Sequence, residues 1–197
     1  MKRILIISDG KPGHLNQSIA FCKIKGISYD IVEVKFKSKA HRLLSYFFDR
    51  INFYTDELFE QYKKFYYDFY DAVVSTGSKT YYFNKFISKK ENKKSIVLML
   101  PKGYKYIDFD FIIAQEHDKA ADLNNIIKVP LNLSYLKPKN ILKKDEKRAI
   151  GIIIGGNNNV FSLDIDSLRN KLNEIFENEK DSLKYITTSP RTPFEVD

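Results

Sequence analysis

The stretch Arg3-Ile4-Leu5-Ile6-Ile7-Ser8-Asp9-Gly10-Lys11-Pro12-Gly13-His14-Leu15-Asn16-Gln17-Ser18 decides the fold. A short apolar run ends in Asp-Gly, a turn-rich loop follows, and an apolar stretch from Leu15 to Ile24 continues the chain. This reads as strand, loop, helix. The pattern recurs downstream. Strands are predicted at Tyr29–Phe36, Asp71–Thr76, Ser95–Leu100, Phe109–Ala114 and Ile126–Val129, and helices at Ala40–Phe53, Asp56–Tyr70 and Ser78–Ile87. The stripe Phe59, Tyr62, Phe65, Tyr66, Phe69 has helical spacing and reads as core rather than as a stacking platform. Strands alternating with helices imply a parallel sheet with right-handed crossovers. The expected class is α/β, with a Rossmann-like N-terminal domain over residues 1–138.

Ser134 to Lys147 carries Pro138 and a cluster of cations among few apolar residues, the composition of a linker. The strand-helix pattern restarts beyond it. Ala149–Ile154 reads as a strand, Gly155–Asn159 as a loop, Leu163–Phe176 as a helix and Leu183–Thr188 as a strand. Residues 147–197 are therefore expected to begin a second Rossmann-like domain that is incomplete at Asp197.

The composition is that of a globular protein, with 43% hydrophobic and 29% charged residues. No run approaches the roughly eighteen apolar residues of a membrane span, and the opening apolar run is too short for a signal-peptide core. A single cysteine, Cys22, fits a reducing, cytoplasmic setting. The net charge of +8 invites a polyanionic partner. Only six of the 33 cations are Arg, the bidentate phosphate reader, so nucleic acid is not expected. Lys85–Lys105 and Lys137–Arg148 concentrate positive charge, either as solvated loops or as a weak surface for anionic lipid at the inner membrane face or for a phosphorylated substrate.

In open α/β sheets ligands bind outside the carboxyl ends of the strands, so the loops there are the places to look. In the first loop Gly10 and Gly13 let backbone approach a ligand, and Lys11, Asn16 and Gln17 add polar groups near a helix start. Asp9 or His14 could serve as a general base. The third-strand loop offers Thr76, Gly77 and Ser78, either as a subsite or as a plain helix cap. After the fifth strand, His117 stands between Glu116 and Asp118, an arrangement that suits either acid–base work or a solvated turn. No second His or Cys lies at ligand spacing there, so neither a metal nor a cofactor is expected. In the second domain Gly155, Gly156 and Asn157, with Thr188, Ser189 and Arg191, form a candidate diphosphate cradle. That loop lacks the Lys and hydroxyl of a P-loop and is not the dinucleotide Gly pattern.

Taken as a set, SDGKPGHLNQS (8–18), AQEHD (114–118), IIIGGNNN (152–159) and TTSPRTP (187–193) resemble the bacterial branch of the "elongated mitochondria" mitochondrial-fission family. The resemblance implies a GT-B-like glycosyltransferase architecture, in which two Rossmann-like domains face a cleft. That family usually shows Ser-Arg-Arg-Thr-Pro where this chain has Ser189-Pro190-Arg191-Thr192-Pro193, which removes one cation. It also continues for roughly another hundred residues, about a small domain.

The expected function is therefore transfer from a sugar nucleotide, or another phosphorylated small molecule, to an intracellular acceptor, lipid-linked or not. Asp9 or His14 would be the base, with Gly155, Gly156, Ser189 and Arg191 at the diphosphate. The rival expectation is a non-catalytic binding or recruitment protein that keeps the fold.

Overall fold

The computed structural model describes residues 3–137, 147–158, 160–189 and 191–196. Most of the predicted linker, together with Asn159, Pro190 and Asp197, lies outside the described residues. The chain divides into two units, residues 1–137 and 138–197.

The first unit runs β1 (Arg3–Ser8), α1 (Pro12–Lys25), β2 (Ser28–Glu33), α2 (Lys39–Arg50), β3 (Ala72–Thr76), α3 (Tyr81–Lys90), β4 (Lys94–Leu98), β5 (Phe111–Gln115) and β6 (Ile126–Val129). All six strands pair in parallel in the order β2-β1-β3-β4-β5-β6. The α/β, Rossmann-like reading of the opening stretch holds. The strand order reverses at β1, which has β2 on one side and β3 on the other. In open sheets of this kind ligands bind outside the carboxyl ends of the strands at that reversal, here β1 and β3.

The period-2 alternation of each strand divides the core into two layers. Ile4, Ile6, Ala72, Val74, Ile96 and Leu98 pack with Cys22, Leu15 and Ile19 of α1 on one face. Leu5, Ile7, Val73, Val97 and Ile112 meet Tyr81, Phe83 and Ile87 of α3 on the other. Ile4, Leu5, Ile6 and Ile7 are at most 1% exposed, so truncating any one of them leaves a cavity costing about 2–5 kcal/mol. Burial also pushes the Cys22 thiol up to about 11, which keeps it protonated and inert.

Several expectations fail. The first helix begins at Pro12 rather than Leu15, because proline is preorganised for the first helical position; Gly13 and His14 thus sit in its first turn. More substantially, Asp56–Tyr70 is not an α-helix. Residues 58–60 pair antiparallel with residues 35–37, through Lys37 N to Leu58 O at 3.0 Å and Glu60 N to Lys35 O at 2.8 Å. The segment is rich in aromatics, which favour extended backbone, and Phe59 gains more by stacking on Phe36 at 4.3 Å and edge-on to Phe83 at 4.9 Å. Tyr62 and Phe65 also pack on the core, whereas Tyr66 and Phe69 are exposed, so the stripe is core only in part. β2 stops at Glu33, short of the expected Phe36, where this pairing draws the chain off the sheet.

The second unit contains β7 (Ala149–Ile153), α4 (Ile165–Asn178) and β8 (Leu183–Thr187). β7 and β8 pair in parallel with Ala149 opposite Leu183, and α4 is the crossover between them.

Candidate active site

At the end of β1 the Asp9 carboxylate turns inward, its side chain 1% exposed, and both of its oxygens lie 3.1 Å from His14 Nδ1. A carboxylate can only accept, so Nδ1 is the donor, and the lone pair of the neutral ring form would lie at Nε2. Nε2 has no partner among the described residues, and the His14 side chain is 22% exposed. The sequence left two candidates for the base. The geometry joins them: Asp9 accepts from the ring, and His14 Nε2 is the ring nitrogen left without a partner among the described residues. Lys11 N donates to Asp9 Oδ1 at 3.3 Å, which holds the turn between strand and helix.

The loop after β3 closes the other side. Gly77, at φ +94°, lies so near the imidazole that a β-carbon there would come within 2.3 Å of Nδ1. Its N–H donates to Tyr81 Oη at 3.1 Å, and Tyr81 donates to Leu98 O at 3.1 Å. Burial raises the Tyr81 hydroxyl, the Gly77 N–H opposes that, and the Asp118 and Asp9 carboxylates raise it further, so it remains a donor. Sequence reasoning missed Tyr81, the first residue of α3, which the turn at residues 78–80 brings back over the glycine. Thr76 is buried and its hydroxyl meets Ser18 Oγ at 2.8 Å, tying β3 to α1. Met99, just past β4, has φ +73°, a conformation that favours glycine, and its Sδ accepts from Gln17 Nε2 at 3.8 Å. Gln17 Oε1 is buried without a partner.

The remaining first-unit candidates separate. Gly10, at φ +76°, faces Glu33, while a β-carbon on Gly13 would meet open space. Lys11 and Asn16 are exposed. Ser78 Oγ accepts from Arg42 at 3.0 Å, so it points away from the imidazole toward α2. His117 and Glu116 lie exposed in a short turn, and Asp118 pairs with Lys102 at 2.8 Å instead of with His117.

In the second unit the loops after β7 and β8 interlock. Asn157 N donates to Arg191 O at 3.0 Å, and Thr192 Oγ1 donates to Gly155 O at 2.8 Å. Gly156 is needed because a β-carbon there would lie 2.0 Å from the Arg191 carbonyl carbon. Its smallness therefore serves loop packing, not open approach by a ligand. The expected helix start is also different. Asp164 caps α4 by accepting from Asp166 and Ser167, and Asp166 adds a second carboxylate to the first turn, so this helix end repels anions. Thr188, Ser189 and Arg191 remain grouped beside β8, with Ser189 N bonded to Thr192 Oγ1 at 2.8 Å.

A six-stranded parallel sheet with a carboxylate-held imidazole at its switch point defines a Rossmann-like α/β protein with a hydrogen-bonded Asp–His pair where such folds bind ligands. The chain belongs to the mitochondrial fission ELM1 family, whose model matches residues 12–197. The match includes His14, Gly77 and both loops of the second unit, and Asp9 lies just before it. No curated protein and no solved structure matches the chain.

Among the described residues, no helix is long and apolar enough to cross a membrane, and no cluster of three His, Cys, Asp or Glu could hold a metal ion.

Proposed function

We propose that this chain is a GT-B-like glycosyltransferase that uses a sugar nucleotide and takes the proton from its acceptor through His14. The observation that carries this reading is the bond between the enclosed Asp9 carboxylate and His14 Nδ1. A buried carboxylate that fixes the imidazole tautomer leaves Nε2 able to accept a proton from an acceptor hydroxyl. As the acceptor oxygen forms its bond to the anomeric carbon, the bond to the nucleoside diphosphate breaks and the electron pair leaves on the phosphate oxygen. Arg191, Ser189 and Thr188 are the second-unit groups suited to that negative charge, whereas the capped start of α4 is not. Asp9 stabilises the imidazolium that forms.

An acceptor with a lipid chain would suit α2. Leu43, Leu44 and Phe47 on this helix, and Ile51 and Phe53 just beyond it, are 43–69% exposed. Such a face beside cationic residues suits contact with an anionic membrane surface.

The test is release of nucleoside diphosphate by the intact protein across a panel of sugar nucleotides and lipid-phosphate acceptors. Turnover should fall about a hundredfold or more in His14→Ala, and by a comparable factor in Asp9→Asn, with melting temperature near the wild-type value. Near-normal turnover in both variants would remove this pair from the chemistry. If the wild type turns over no sugar nucleotide, the reading gives way to a non-catalytic recruitment protein that uses the same strand ends for binding.

A further inference from the structure

Where the chain leaves β2 and enters α2, a cleft of about 420 Å³ is lined by Lys35, Lys37, Lys39, Arg42 and Lys79, with Glu60 its one carboxylate. Glu60 is engaged by Lys35 at 2.8 Å. Lys37, Lys39 and Lys79 have no acidic partner among the described residues. Arg42 is more telling. Its Nη2 donates to two neutral hydroxyls, Ser78 Oγ at 3.0 Å and Tyr46 Oη at 3.3 Å, and its Nε is buried with no acceptor. An enclosed guanidinium donor without an acceptor is costly unless something else supplies one. α2 adds its own N-terminal dipole, with no acidic residue in the first turn.

We propose that this cleft binds a phosphate or diphosphate group, with Arg42 and Lys79 as its principal ligands. Arg42 offers the planar donor set that phosphate oxygens match, and the lysines supply charge around it. One bond relates the cleft to the Asp9–His14 pair. Ser78, which accepts from Arg42, directly follows Gly77, which packs on the His14 imidazole. A molecule anchored here by its phosphate would extend along the loop after β3 toward Nε2. This last step rests on the transferase reading and makes the acceptor a phosphorylated compound. The anion site itself does not.

Titration of the whole chain with inorganic pyrophosphate, followed by calorimetry at low and at physiological salt, tests the site. Saturable binding is expected. It should weaken roughly tenfold or more in Arg42→Ala and in Lys79→Ala, the loss of a charge-assisted bond, and weaken in wild type as salt rises. Because Arg42 also bonds Tyr46 and Ser78, the exposed Lys37→Ala and Lys79→Ala variants keep the test independent of folding. His14→Ala should bind pyrophosphate as wild type does. Sedimentation with phosphatidylcholine vesicles, with and without phosphatidylglycerol, separates the sources. Retention on the anionic vesicles that Lys79→Ala abolishes assigns the phosphate to a lipid headgroup, and pyrophosphate binding without retention assigns it to a soluble phosphoester. Absence of saturable pyrophosphate binding, or wild-type affinity in the Arg42 and Lys79 variants, overturns the proposal. Intact pyrophosphate binding in a protein with no turnover counts against the transferase reading alone.

Discussion

The imidazole of His14 occupies the space a side chain at position 77 would need: a β-carbon built on Gly77 falls 2.3 Å from Nδ1 and 2.4 Å from Cε1. The first turn of α1 and the loop after β3 are thus fitted to one another, and the pairing of His14 with Asp9 depends on a residue more than sixty positions away.

Gly77→Ala is expected to do two things at once. The positive φ costs about 1 kcal/mol or more for a residue with a β-carbon, and the methyl group must push the imidazole off Asp9. Nitrogen-15 spectra of the wild-type ring should show the tautomer protonated at Nδ1, and the variant should lose that preference. A Gly77→Ala ring that keeps it would show that the contact is slack.

Lys85 is wholly buried on α3, with its ammonium 2.5 Å from Asp49 and 2.8 Å from the Lys105 carbonyl. Asp49 also accepts from Lys105 N at 2.7 Å and from Tyr54 Oη at 3.2 Å. Burial lowers the Lys85 ammonium from its ordinary value, with Asp49 and Asp108 opposing that. Lys85→Met strands a buried carboxylate and should cost about 3–5 kcal/mol, whereas Lys85→Met with Asp49→Leu should recover most of it. Equal losses in the single and double variants, measured by urea unfolding, would mean the ion pair itself stabilises the fold.

In the second unit, Gly156→Ala must separate two loops that touch through the Arg191 backbone. Overpacking of this kind costs about 1–3 kcal/mol. Amide hydrogen exchange should quicken tenfold or more in β7 and β8 and stay unchanged in β1 and β3. Unchanged exchange in β7 would show that the loops part without disturbing the strands.

The Arg3 guanidinium and the Tyr70 hydroxyl, at 2.7 and 2.8 Å, hold the Asp30 carboxyl below its usual range. A carboxyl lowered in the folded state stabilises it at pH values above the unfolded value of about 3.9, and that contribution fades as pH falls through the lowered folded value. The wild type should therefore melt above Asp30→Asn at neutral pH, and the gap should close in acid. A gap independent of pH would show that the carboxylate's charge is immaterial.

Much of this was written in local sequence. The apolar run Ile4–Ile7 followed by Asp9-Gly10 and Pro12 specifies a strand, a turn and a helix start, because four successive buried residues need both faces of a sheet covered and proline suits the first helical turn. The same short spacing put Asp9 and His14 within reach of one another, so the candidate pair was legible before the fold. Tertiary structure decided the rest. Aromatic spacing over Asp56–Tyr70 suggested a helix, but pairing of residues 58–60 with 35–37 and the stacking of Phe59 on Phe36 outweighed that local pattern. That Asp9 is enclosed while His14 Nε2 stays open followed from how the loop after β3 packs on the ring, and Gly77, Tyr81 and Arg42 gained their contacts from elements that are neighbours only in the folded chain. Periodicity and turn chemistry act over a few residues and fix the elements. The enclosed contacts that position an imidazole or leave a guanidinium without an acceptor join residues far apart in the chain, and these form only once the parallel sheet brings its carboxyl ends together.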